Sequence, residues 1–148
     1  MAGDPLAALR TWFNHWGSLV AARDFEAARP LFSSEVIGFG THMRIVHGLS
    51  ALERDQWRNV WPTISDFTFL TAELEGGIST DGLQAWAIVP WTSTGFSEDG
   101  TPFERPGRAT AIFTRNEPDA DWRAIHTHFS LVPGTPHRSW GPPDDPRR

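Results

Sequence analysis

The hydrophobic period changes once along this chain, and that change constrains the fold more than any other feature. Over roughly the first 60 residues apolar side chains recur at helical spacing, and beyond them they alternate. Leu6, Leu9, Trp12, Phe13, Trp16, Leu19 and Val20 fall on one helical face. Asp4-Pro5 offers an N-cap followed by a proline at the first helical position, and the helix is expected to end near Arg23. Asp24 can cap a second, short helix carrying Phe25, Ala28 and Leu31, with Pro30 near its end. "SSEVIGFGTHMRIVHG" reads as two short strands around a turn. Ser50 can cap a third helix, "ALERDQWRNVW", stopped by Pro62 and turning Leu52, Trp57, Val60 and Trp61 inward.

The rest of the chain is strand-like. "DFTFLTAELEG", "LQAWAIVPWTSTGF", "FERPGRATAIFTR" and "WRAIHTHFSLV" are separated by the turn compositions "GGISTDG", "SEDGTP" and "NEPDAD". Helices followed by an antiparallel meander predict an α+β class. The length, 148 residues, suits one domain, expected over residues 1–135, with a proline-rich and loosely ordered tail over 136–148. There is no internal repeat.

Composition narrows the function. The chain has no cysteine, so it has neither disulfides nor thiolate sites. Its formal charge is -5, with basic residues scattered until the last two arginines, which argues against a nucleic-acid surface. It shows no apolar run of membrane-spanning length and no signal peptide, so a cytoplasmic protein without membrane contact is expected. Eight Trp and 10 Phe stand beside no Tyr at all. That many indoles exceed the needs of a small core and point to a cavity wall or a partner surface.

The stretch "AIHTHFSLVP" sets His126 and His128 two apart on a strand, hence on one face. Regular alternation groups them with Trp122, Ala124 and Ser130, and puts Ile125, Thr127, Phe129 and Leu131 opposite. A bulge or a one-residue slip would exchange the faces. A His-x-His pair can supply two zinc ligands, with a third from His15, His42, His47 or a carboxylate. Nothing fixes that third ligand, so no metal is expected, and the plainer reading is hydrogen bonding across the sheet or a dimer contact. His42 in "GFGTHM" has two readings as well. Its imidazole suits proton transfer near neutrality, and it equally suits a solvated turn. Thr41 and Thr127 can offer hydroxyls. "ERPGR", Glu104 to Arg108, reads as a strand entrance kinked at Pro106-Gly107 rather than as a charged patch.

With "GFGT", "AWAIVPW", "EDGTPFERPGRATAIFTR" and the final Trp-x-x-x-His-x-His-x-Ser, the chain over roughly residues 5 to 133 resembles the SnoaL-like and nuclear-transport-factor-two-like superfamily. It is most similar to the branch that also holds the association (hub) domain of calcium/calmodulin-dependent kinase II. Iota-class carbonic anhydrases resemble this branch too, but carry a richer histidine run than "HTHFS". The resemblance implies a cone-shaped, curved antiparallel sheet wrapped around the long N-terminal helix, the cystatin-like α+β barrel, with a pocket inside and homodimers through the outer sheet face. It matches Trp16, Gly40 and Ala111 to the tyrosine, the aspartate base and the aspartate donor of ketosteroid isomerases, so the groups for that chemistry are absent. It matches Phe129 to a pocket arginine of the hub, which puts the Phe129 face inside and the two histidines, with Trp122, toward a dimer partner.

The expected pocket is mostly apolar. Trp16, Phe39, Trp57, Trp91, Ala111, Phe113, Thr127 and Phe129 are expected around it, with His42 near its mouth as the catalytic candidate. No cofactor is expected. Two functions follow: acid–base chemistry on a small apolar or aromatic molecule, as a cyclase, isomerase or dehydratase, or non-catalytic ligand binding or assembly.

Overall fold

A computed structural model describes residues 3–146. The first helix, α1 (Ala7–Ala22), buries Leu9, Trp12, Phe13, Trp16, Gly17 and Val20 along one stripe. The Asp4 carboxylate accepts from the Leu6 N–H and the Asp4 carbonyl from Ala7, so the expected cap forms one turn ahead of the regular helix. Arg23 ends α1 in the left-handed conformation, φ 58°. Asp24 then caps α2 (Phe25–Ala28) through the Ala27 N–H, as its position predicted. A short 3-10 turn leads into β1 (Phe32–Phe39), followed by β2 (Val46–His47).

The third helical region begins at α3 (Leu49–Leu52), and its N-cap is Gly48 at φ 91°, not Ser50. The entry needs a positive φ that glycine adopts without strain, and this displaces the start from the serine. A π-helical stretch, Glu53–Trp57, continues into α4 (Arg58–Val60) and a 3-10 turn holding Pro62. Arg29 and Arg58 both donate to the Glu53 carboxylate, at 2.6 and 2.8 Å, and tie this region to the end of α2.

The strands that follow are β3 (Ser65–Phe69), β4 (Glu75–Ile78), β5 (Gln84–Phe96), β6 (Pro102–Glu104), β7 (Gly107–Thr114) and β8 (Arg123–Leu131). Two of the four expected strands are thus divided. A 3-10 turn separates β3 from β4, and Arg105-Pro106 separates β6 from β7. The sheet runs β2-β1-β8-β7-β5-β3, with β4 and β6 also paired to the long β5. Every pair is antiparallel except β1–β8, which is parallel. The expected α+β class holds, as an open, curved sheet with α1 packed on its inner face through Phe13 and Phe69. Among the described residues, no helix is long and apolar enough to cross a membrane.

The tail is not loose. Ser139 Oγ donates to the Thr63 carbonyl and accepts from the Phe96 N–H, and the Trp140 N–H donates to the Phe96 carbonyl. Arg138 lies over the Trp140 ring, 3.5 Å from its centroid. A proline-rich composition suppresses helix and strand but leaves such end-on docking open.

Candidate ligand-binding site

An aromatic slot of about 30 Å3 lies between α1, the third helical region and the inner sheet face. Trp16 and Val20 form its helix wall; Gln56, Trp57, Val60, Trp61, Ile64 and Phe67 enclose one side; Trp91, Phe129, Thr41 and Arg105 complete it. Edge and tilted ring contacts hold the walls: Trp16 meets Phe129 at 5.4 Å and Phe67 meets Trp91 at 5.3 Å. Trp57 stacks on Trp61 at 4.9 Å, and Trp61 in turn on Phe25. The π-helical widening spreads the helix so that the adjacent residues Gln56 and Trp57 are both buried against the slot. Glycine makes room at two points. A Cβ at Gly40 would lie 2.6 Å from Gln56 Nε2, and one at Gly107 would overlap the Trp91 ring and the Ser130 carbonyl.

Arg105 is the unusual member. It occupies the break between β6 and β7, where its backbone is clamped to Ser93: the Arg105 N–H donates to the Ser93 carbonyl and Ser93 Oγ donates to the Arg105 carbonyl. With the backbone so held, the side chain turns inward and is only 3% exposed. Its guanidinium lies over Trp91, 5.3 Å from the ring centroid, and donates a long 3.4 Å bond to Thr41 Oγ1. Among the described residues no carboxylate pairs with it. Burial pushes its pKa down to about 10, so it remains a cation at neutral pH. Its Nε–H, the Nε1–H groups of Trp16 and Trp91, and Gln56 Oε1 are all buried without a partner among the described residues, and all four side chains line the slot. Trp12 Nε1 is a fifth such group, away from the slot.

Arg105 and Val60 also border an outer vestibule of about 350 Å3. His42, Met43, Asp55, Asn59, Thr63, Arg138 and Ser139 complete its wall, so the docked tail forms part of the rim. The His42 and His137 rings lie 4.9 Å apart. Burial first, then His137, Arg105 and Arg138, hold the His42 pKa below its ordinary value. The imidazole is therefore neutral at pH 7, able to accept a proton. Asp55 is engaged by Arg54 at 2.8 Å.

The structure gathers four of the expected pocket residues, Trp16, Trp57, Trp91 and Phe129. Phe39 is a correction: it stands on the outer face, its ring 4.2 Å from that of His128, because parallel pairing sets the two residues side by side. Ala111, Phe113 and Thr127 point inward but lie in the packed core beside the slot, not in its wall. Phe113, for example, is covered by Trp12 and Phe13. His42 belongs to the vestibule and does not reach the slot. Gln56 and Arg105 are the residues that sequence reasoning missed. The kink at Pro106-Gly107 was the available signal for Arg105, since strand breaks re-aim side chains.

The two strand histidines face outward, as expected. His126 Nδ1 is 2.8 Å from the Ile37 carbonyl, and His128 covers Phe39. Trp122 is not with them. Ile112 pairs with His126 and Phe113 with Ala124, leaving Ile125 as an extra residue. This bulge puts Trp122 inside, 5% exposed and under the Arg115 guanidinium, while the histidines stay outside. Trp86, 47% exposed, takes its place on the outer face.

A model of the SnoaL-like domain family matches residues 9–134. The chain belongs to the SnoaL-like domain family. That family includes isomerases and domains that bind ligands or assemble. Solved structures with the same fold include a nuclear-transport-factor-two-like superfamily protein from Salmonella enterica, at 21% identity and TM-score 0.65, covering 86% of this chain and 91% of that one. The S. rosetta CaMKII hub is similar at 15% identity and TM-score 0.70, over 89% of this SnoaL-like chain and 100% of the hub. A ketosteroid isomerase-like protein from Erwinia carotovora is similar at 14% identity and TM-score 0.68, over 88% and 98%. No curated protein matches the chain.

Proposed function

We propose that this SnoaL-like domain binds a small, largely apolar or aromatic molecule in the slot and its vestibule, without a cofactor, in a cytoplasmic setting. The observation that carries the proposal is the slot itself, walled by Trp16, Trp57, Trp91 and Phe129 and sharing Arg105 and Val60 with a larger vestibule. Apolar walls with a few polar groups are the usual make-up of a small-molecule site. Indole and benzamide serve as probes. Each is expected to change tryptophan fluorescence saturably and to raise the melting temperature by linkage. Val20→Leu, whose added methylene takes up much of so small a space, is expected to abolish both effects while the circular dichroism spectrum is unchanged. Probes that bind Val20→Leu as well as the parent would refute the location.

A catalytic version of this reading has one support, the neutral His42 imidazole in the vestibule. If the bound molecule is turned over, His42→Gln should slow the reaction about 100-fold or more with little change in KM. The proposal also includes a homodimer through the outer sheet face. Ile37, Trp86, Ile88 and Ile112 are exposed there beside His126 and His128. One contiguous apolar face of this kind favours self-association through two-fold symmetry.

A further inference from the structure

We propose that the slot is a carboxylate site, and that Arg105 receives the acid group of a small monocarboxylate. This rests on the reading of the slot as a ligand site and adds the chemical class. A buried cation is strongly unfavourable unless something compensates it. Arg105 has only a long bond to the Thr41 hydroxyl and the face of Trp91, and no carboxylate partner among the described residues. Its Nε–H is buried and unpaired, and so are the indole N–H groups of Trp16 and Trp91 in the same wall. The side chains that carry these three donors, one of them cationic, thus line one small space. An acceptor of single negative charge satisfies them.

Geometry and charge favour carboxylate over phosphate. The guanidinium fork matches the two oxygens of a carboxylate in its own plane. One buried arginine neutralises one charge, whereas a phosphate dianion would leave a second unpaired. Because Arg105 borders both spaces, an acid group seated on it leaves a short apolar group to the slot or the remainder of the ligand to the vestibule. The Gln56 amide, whose Oε1 lacks a partner, is placed to accept from a donor on the ligand.

Calorimetric titration of the full chain with acetate, benzoate, benzamide and inorganic phosphate tests this directly. Benzoate is expected to bind about tenfold or more tightly than benzamide, which has the same shape and no charge. Acetate is expected to compete with it, and phosphate is not. Arg105→Met is expected to abolish the preference for benzoate, while its melting temperature stays the same or rises, since a buried charge has been removed. Arg105→Lys is expected to keep a reduced preference. Equal binding of benzoate and benzamide would overturn the carboxylate assignment and leave the apolar slot standing. Failure of all four probes to bind would overturn both. Competition by phosphate, or a melting temperature of Arg105→Met that falls well below the parent with benzoate preference intact in Arg105→Lys alone, would show that Arg105 serves the fold or a different anion.

Discussion

Arg105 is a buried cation whose backbone is held by Ser93 on a neighbouring strand. "ERPGR" carries an ordinary mix of charges; Glu104 ends β6, and Gly107 and Arg108 open β7. The inward turn of Arg105 comes from Ser93, 12 positions earlier, which binds its backbone from both sides. The cation is retained against a cost: burial brings its pKa down to about 10, a fall worth roughly 3 kcal/mol. The sign is clear. Above about pH 10, until the unfolded chain also loses its proton, the unfolded chain holds a proton that the folded chain has released, so stability rises with pH there and the penalty is in force at neutrality. Gly107 makes the same point for a neighbour. Its missing Cβ lets the Trp91 ring lie against the strand, so Gly107→Ala should destabilise the fold by about 2 kcal/mol and disturb the slot. Chemical denaturation checks this, and an unchanged midpoint would count against the packing described.

Elements whose ends rest on local chemistry were legible. Asp24 caps where its type and position say it should, Asp4 closes the turn just ahead of α1, whose own N-cap is Leu6, and the long period-3.6 stripe became α1. Features set by pairing were not. The bulge at Ile125, which reverses Trp122 but not His126, has no local signature, because it is fixed by the register against β7. Phe39 left the pocket for the same kind of reason, the parallel pairing of β1 with β8. The π-helical widening that buries Gln56 is likewise invisible in a pattern read at helical spacing. The tail illustrates a third case, in which composition misleads. Ending the chain after Pro136 removes the Ser139 bonds to Thr63 and Phe96 and the Trp140 bond to Phe96. The truncated chain is expected to melt about 3 °C or more below the parent. Equal melting curves would mean the tail contributes nothing to stability.

At the scale of the whole molecule, the curved sheet separates two surfaces with different tasks. Its inner face and α1 hold the aromatic slot; its outer face carries Trp86, the isoleucines and the two histidines. His128 links that outer face to pH. Burial first, then His126 and Arg108, hold its pKa below the ordinary value. Below pH 6.5 the unfolded chain therefore takes up protons that the folded chain resists, and stability falls as the pH drops through that range. In the proposed dimer this cost is greater, because the face is covered. Sedimentation at about pH 7.5 and about pH 5 should show the dimer weakened about tenfold or more at the lower pH. His128→Gln should remove most of that difference, and a pH-independent association would contradict it.

In the proposed function the slot, and not the outer face, receives the ligand. The chain's eight tryptophans report on this directly, since each gives one indole N–H resonance. In a titration with benzoate, the assigned Nε1–H signals of Trp16 and Trp91 should shift together and saturate, while that of the exposed Trp86 stays in place. Shifts confined to Trp86, or no movement at Trp16 and Trp91 when benzoate is bound, would contradict it.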